Sequence, residues 1–144
     1  VLQHFLRNLD LLSDISYDGK EAIDKLRLRS LGSCCNTYKA VLMDMQMPIL
    51  SGVQATREIQ RLVAESIIPP VPIIGCTGNS AKTEYDLCID AGMMDVLCKP
   101  IDPTALKECL NSIKDYSMKE FGDEIKDQIN WKVSVKDKKI IKLD

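Results

Sequence analysis

Three short apolar runs, each ending on a polar or charged residue just before a turn, restrict the fold of this chain more than any other feature. Ala40-Val41-Leu42-Met43 ends on Asp44, and Pro48 bends the chain soon afterwards. Val71-Pro72-Ile73-Ile74-Gly75-Cys76 ends on Thr77, and Val96-Leu97-Cys98 ends on Lys99-Pro100. Runs that are continuously apolar, not alternating, read as strands covered on both faces of a parallel sheet. Parallel strands need crossover connections, and helical patterns fill the gaps between these runs.

Leu2, Phe5, Leu6 and Leu9 recur at helical spacing, which predicts a helix over about residues 1–10. Residues 11–17 read as a short strand closed by the turn pair Asp18-Gly19, and residues 20–31 read as a helix with Ala22, Ile23, Leu26 and Leu31 on one face. Ser51 followed three residues later by Gln54 is a capping-box signature, opening a helix that carries Val53, Ile59, Leu62 and Val63 inward and stops before Pro69-Pro70. A helix over 82–91 ends at Gly92, which supplies the left-handed cap. Asp102-Pro103 opens the next helix, with Leu106, Leu110 and Ile113 on its apolar face. Alternation of strands and helices through residue 115 predicts an α/β fold, a doubly wound parallel sheet. In such sheets, sites form beyond the carboxyl ends of the strands. Asp44, Thr77 and Lys99 are therefore expected to converge.

A chain of 144 residues with 45% hydrophobic and 28% charged residues is one soluble domain's worth. Its net charge of −2 gives no field that would draw nucleic acid or an anionic membrane surface, so neither is expected as a partner. No run reaches the roughly 20 apolar residues of a membrane span, and residues 1–12 lack the pattern of a secretory signal. The six cysteines show no CxxC, and His4 is the only histidine. Reduced thiols in a cytoplasmic protein are the plain reading. Cys76 and Cys98, each one residue before a site residue, are expected side by side on neighbouring strands yet unbridged, since parallel strands rarely allow an unstrained disulfide. Residues 116–144 hold seven Lys and six acids, net +1 against −3 for residues 1–115. They read as a charged tail, mobile or a weak hairpin around Trp131, Val133 and Val135.

A carboxylate can attack phosphorus and hold the phosphoryl group as a mixed anhydride. The obstacle is repulsion between two anions, which a divalent cation and a fixed ammonium reduce. A threonine hydroxyl can donate to a phosphoryl oxygen and move with it, turning modification into motion. Asp44, Lys99 and Thr77 supply that set in order.

These residues resemble a known family. Asp44-Met45-Gln46-Met47-Pro48-Ile49-Leu50-Ser51-Gly52 is similar to the phosphoacceptor loop of response-regulator receiver domains. Ile73 to Asn79 resembles their switch-threonine loop, and Ala91 to Pro100 their last strand with its Lys-Pro pair. The wording of the loops is most like the receivers of hybrid histidine kinases. The resemblance covers about residues 1–115 and implies a flavodoxin-like fold with strand order 2-1-3-4-5. It implies Asp44 as phosphoacceptor, Thr77 as switch and Lys99 as phosphate partner, with Lys99-Pro100 a candidate cis peptide. Magnesium would be held by Asp44 and the Gln46 backbone carbonyl. The side chains of Gln46 and Asn79 would influence hydrolysis of the acyl phosphate. The implied partners are a histidine kinase or a His-containing phosphotransfer protein. The chain would then be no conventional enzyme, only self-catalysing transfer onto Asp44, within a parent that could be a membrane-anchored hybrid kinase.

Two departures stand against the family's pattern. The first strand, which carries an acidic pair for magnesium, is absent ahead of the first helix. The chain does not begin with Met, so a fragment of something longer is expected, with magnesium binding weak or absent and β edges exposed where the central strand belongs. Val96 stands where many receivers carry an aromatic, so a smaller conformational signal is expected there. The alternative is a phosphorylation-silent receiver used only for protein contacts. An aspartyl phosphatase would need a second Asp where Gln46 stands, and His4 reads as a solvent-facing helical residue.

Overall fold

The computed structural model describes residues 2–8, 11–30, 38–47, 49–121 and 139–143. Ten elements follow in order: α1 (Leu2–Asn8), β1 (Leu12–Ser16), α2 (Gly19–Ser30), β2 (Ala40–Asp44), α3 (Gly52–Ala64), β3 (Ile73–Thr77), α4 (Lys82–Ala91), β4 (Asp95–Cys98), α5 (Pro103–Phe121) and β5 (Lys139–Leu143). All five strands run parallel in one sheet, in the order β1-β5-β2-β3-β4.

The alternating faces of the central strands explain the two layers around that sheet. Val41, Met43 and Ile73 pack with Ala22, Ile23 and Leu26 of α2, Ala55, Ile59 and Leu62 of α3, and Cys88 of α4. Ala40, Leu42, Ile74 and Cys76 face the other way, onto Leu6 of α1 and Leu106, Cys109 and Ile113 of α5. A strand with apolar side chains on both faces needs such a double cover, since side chains alternate along it.

Local signals set the boundaries. At α3, the Ser51 side chain accepts from the Gln54 amide at 3.3 Å while the Gln54 side chain accepts from the Ser51 amide at 3.0 Å, completing the capping box. Gly92 closes α4 with φ 113°. The Asp102 carboxylate accepts from the amides of Thr104 and Ala105 at the start of α5.

Three expectations are corrected. The tail does not divide at residue 115: α5 continues to Phe121, and residues 139–143 form a strand in the main sheet, not a mobile extension or a hairpin of their own. Trp131, Val133 and Val135 lie outside the described residues. The slot expected to be empty between β1 and β2, where the first strand of the 2-1-3-4-5 order belongs, is filled by β5. Cys76 and Cys98 are not opposite each other, because Cys76 pairs in register with Leu97 and Cys98 with Thr77. A one-residue offset puts their side chains on opposite faces. Cys76 is buried and Cys98 exposed, and neither is in a disulfide.

Candidate functional site at the strand carboxyl ends

The registers β2–β3 and β3–β4 bring the ends of three strands level. Asp44 pairs with Cys76, one residue before Thr77, and Thr77 pairs with Cys98, one residue before Lys99. Two further backbone bonds extend the ladder past the strands, from the Met45 amide to the Cys76 carbonyl at 3.0 Å and from the Lys99 amide to the Thr77 carbonyl at 2.7 Å. The Lys99-Pro100 peptide is cis.

The Asp44 side chain is 14% exposed and that of Lys99 46%. Lys99 Nζ donates to Asp44 Oδ2 at 2.5 Å, while Oδ1 accepts from the Gln46 amide at 3.0 Å. One carboxylate is thus held by an ammonium and a backbone N–H, with an edge still open to water. Charge-assisted bonds of this kind fix orientation better than neutral ones. Behind it, Gly52 packs so closely that a Cβ there would lie 2.6 Å from the Asp44 carbonyl oxygen and 2.9 Å from the Met45 Cα.

Thr77 is 4% exposed, and its hydroxyl is engaged on both sides. It donates to Glu84 Oε1 at 2.8 Å and accepts from the Asn79 amide at 3.0 Å. Asn79 in turn accepts from the Ala81 amide at the start of α4. Glu84 was not singled out by sequence reasoning. The signal for it is modest: an acid in the first turn of α4, seven residues after Thr77, where the helix dipole favours negative charge.

The three residues expected from the sequence therefore come together. Val96 is half-buried and packs against the α2–α4 side of the sheet. Met43, Met45 and Met93 are buried packing residues, while His4 is exposed and lies near the Asn8 amide. Among the described residues no group of three His, Cys, Asp or Glu could hold a metal ion. Magnesium binds through one or two carboxylates plus waters and phosphate oxygens. A single carboxylate already paired with Lys99 falls short of such a site.

The family model for the response regulator receiver domain matches residues 1–111. The chain belongs to that family. A hybrid signal transduction histidine kinase of Dictyostelium discoideum is 37% identical over 98 residues, covering 68% of this chain and 6% of the relative. The receiver domain of a Pseudomonas aeruginosa sensor histidine kinase, solved with a magnesium ion in its active-site cleft, is 32% identical with a TM-score of 0.63, covering 77% of this chain and 83% of that one. The receiver domain of a Saccharomyces cerevisiae response regulator, solved with its histidine phosphotransfer protein, is 25% identical with a TM-score of 0.62, covering 74% of this chain and 73% of that one. The chain spans only 6–7% of the length of three histidine kinases that it matches. It is thus a receiver of the flavodoxin-like fold, related to those of two-component and phosphorelay systems. No helix among the described residues is long and apolar enough to cross a membrane.

Proposed function

We propose that this receiver is a phosphoacceptor module of a phosphorelay, taking a phosphoryl group from a histidine onto Asp44. The observation that carries the reading is the Lys99 ammonium on the Asp44 carboxylate, at a site open to water on one edge. Attack by Asp44 Oδ on phosphorus forms the acyl phosphate, the imidazole leaves from the donor, and water or a second histidine later takes the phosphoryl group away. Lys99 offsets the charge of the incoming phosphoryl oxygens, and the Thr77 hydroxyl follows the phosphoryl group once freed from Glu84. Magnesium would add the charge the site lacks, and Asp44 and the Gln46 carbonyl are the groups that would meet it. The donor is a histidine kinase or a His-containing phosphotransfer protein, as in the yeast complex, and the reaction belongs in the cytoplasm.

Acetyl phosphate with magnesium should add one phosphoryl group to the chain, read by intact mass, and Asp44→Asn should abolish it. Equal labelling of that variant would end the reading. The single carboxylate at this site among the described residues favours a second reading, a receiver used only for protein contacts. Failure of the unmodified chain to take a phosphoryl group from any donor would support it.

A further inference from the structure

Ile49, in the loop that leaves Asp44, is unfavourable twice over. Its backbone lies in the left-handed region with φ 71°, and its side chain is 73% exposed, the most of the exposed large apolar residues described. Branching at Cβ makes that region costly, whereas Asn or Gly enters it readily. Among the described residues Ser66 is the other non-glycine with a positive φ, and it follows the end of α3, where such a turn closes a helix. Ile49 precedes a helix, so no helix end accounts for it. Strain of this kind collects at functional sites. The site is close. The Gly52 amide donates to the Met45 carbonyl at 3.2 Å, so the loop returns to the end of β2, and five residues of chain hold Ile49 within about 17 Å of Asp44. Tyr17, 67% exposed, lies beside the same loop, since a Cβ at Gly19 would stand 3.0 Å from the Leu50 Cβ.

We propose that Ile49 is a docking and specificity residue for the partner that phosphorylates Asp44, seating against an apolar side chain beside that partner's donor histidine. This deepens the phosphoacceptor reading and rests on it. In that reaction the N–P bond of the phosphohistidine breaks as Asp44 Oδ bonds to phosphorus, so the donor imidazole has to reach the open edge of the carboxylate. The partner's surface is therefore centred on Asp44. Specific interfaces bury roughly 800 Å² on each side, a disc of about 16 Å radius, and such a disc takes in the Ile49 side chain. Charge does little to select this partner, because Asp44 is already paired with Lys99 and the net charge of the chain is only −2. Apolar area beside the site is what remains to discriminate. Covering Ile49 takes apolar surface out of water, while the turn that presents it costs the free chain stability. That balance is the one expected of a side chain that serves a partner and not the core.

The test compares the 144-residue chain with its Ile49→Asn and Ile49→Val variants. Each is labelled by acetyl phosphate and, separately, by the Saccharomyces cerevisiae histidine phosphotransfer protein carrying a phosphoryl group on its histidine. The readout is the ratio of the protein-donor rate to the acetyl phosphate rate, by intact mass, so that any change at Asp44 itself cancels. Ile49→Asn should lower that ratio by about tenfold or more, while raising Tm by roughly 3 °C because Asn accepts the left-handed turn. Ile49→Val keeps a branched apolar side chain, so its ratio should stay within about threefold and its Tm should not change. A purely structural role would instead lower Tm and leave the ratio alone. An unaltered ratio in Ile49→Asn overturns the proposal. So does a lowered Tm in that variant, which would mean that Ile49 is covered from within its own molecule. An equal fall in Ile49→Val, or labelling of the unmodified chain by acetyl phosphate alone, overturns it too. If neither donor labels the unmodified chain, the phosphoacceptor reading fails and this inference falls with it.

Discussion

Replacing Glu84 with Ala tests whether Thr77 is held back from the Asp44 site. The hydroxyl of this buried threonine donates to the Glu84 carboxylate at 2.8 Å. A hydroxyl in that bond is not available to a phosphoryl oxygen. Hydrogen bonds to charged groups contribute about 1.5–3 kcal/mol, and the half-buried setting of Glu84 argues for the lower end. Taking about 1.5 kcal/mol, release of the hydroxyl favours the phosphorylated form by roughly tenfold in its ratio to the free form. Glu84→Gln keeps a neutral acceptor and should shift that ratio by only about threefold.

The assay is the steady-state ratio of phosphorylated to free chain by intact mass, at a donor concentration that labels about one chain in ten. The same ratio is measured in Thr77→Ala and in the double variant. Thr77→Ala removes the hydroxyl itself, so the effect of Glu84→Ala should vanish in that background, giving a coupling close to the whole single-variant effect. An equal gain from Glu84→Ala with and without Thr77 would refute the reasoning. So would an unchanged ratio in Glu84→Ala while Thr77→Ala alone lowers it.

Three further outcomes are expected. Gly52→Ala drives a Cβ to within 2.6 Å of backbone that no rotamer change can relieve, so calorimetry should show a loss of about 3 kcal/mol, roughly 10 °C in Tm, with labelling reduced further because Asp44 itself is displaced. Burial first, and then its 2.5 Å bond to Asp14, pushes the Tyr38 phenol up to about 12. Because that value lies above the unfolded one near 10, the contribution of Tyr38 is complete below pH 10 and is lost as pH rises towards 12. Denaturant unfolding should therefore show Tyr38→Phe less stable by about 1 kcal/mol at pH 8, with the difference shrinking by pH 11.5. Burial, followed by its bond to Asp95, pushes the Cys109 thiol up to about 12, whereas Cys98 is exposed. At pH 8 iodoacetamide should modify Cys98 within minutes and Cys76, Cys88 and Cys109 only in denaturant, so peptide mapping that finds native Cys109 modified would contradict the burial described.

Where a residue's structure follows from its near neighbours, the sequence was readable. Ser51 and Gln54 cap each other across three residues, Gly92 needs no partner to adopt a positive φ, and Asp102 caps the helix that begins at the next residue. The convergence of Asp44, Thr77 and Lys99 was readable for a different reason: parallel strands of similar length end at one side of a sheet, whatever the details. The Thr77–Glu84 bond was not, because a hydroxyl seven residues before an acid has many possible partners. Only the turn through Asn79 and Ala81 fixes the start of α4 so that this one is met.

The strand β5 lies at the far end of that scale. Its residues favour extended backbone, but strand propensity records how a side chain fits a half-buried surface, not which surface. A charged surrounding stretch, with lysines at 136, 138, 139 and 142, gave the appearance of a solvated tail. What determines its place is pairing with two strands far away in the chain, β1 and β2, between which it lies. That placement needs contacts such as Ala40↔Ile140, spanning 100 positions. Such contacts have a large loop-closure cost before any ladder bond repays it, which makes late docking of residues 139–143 the expected last step of folding.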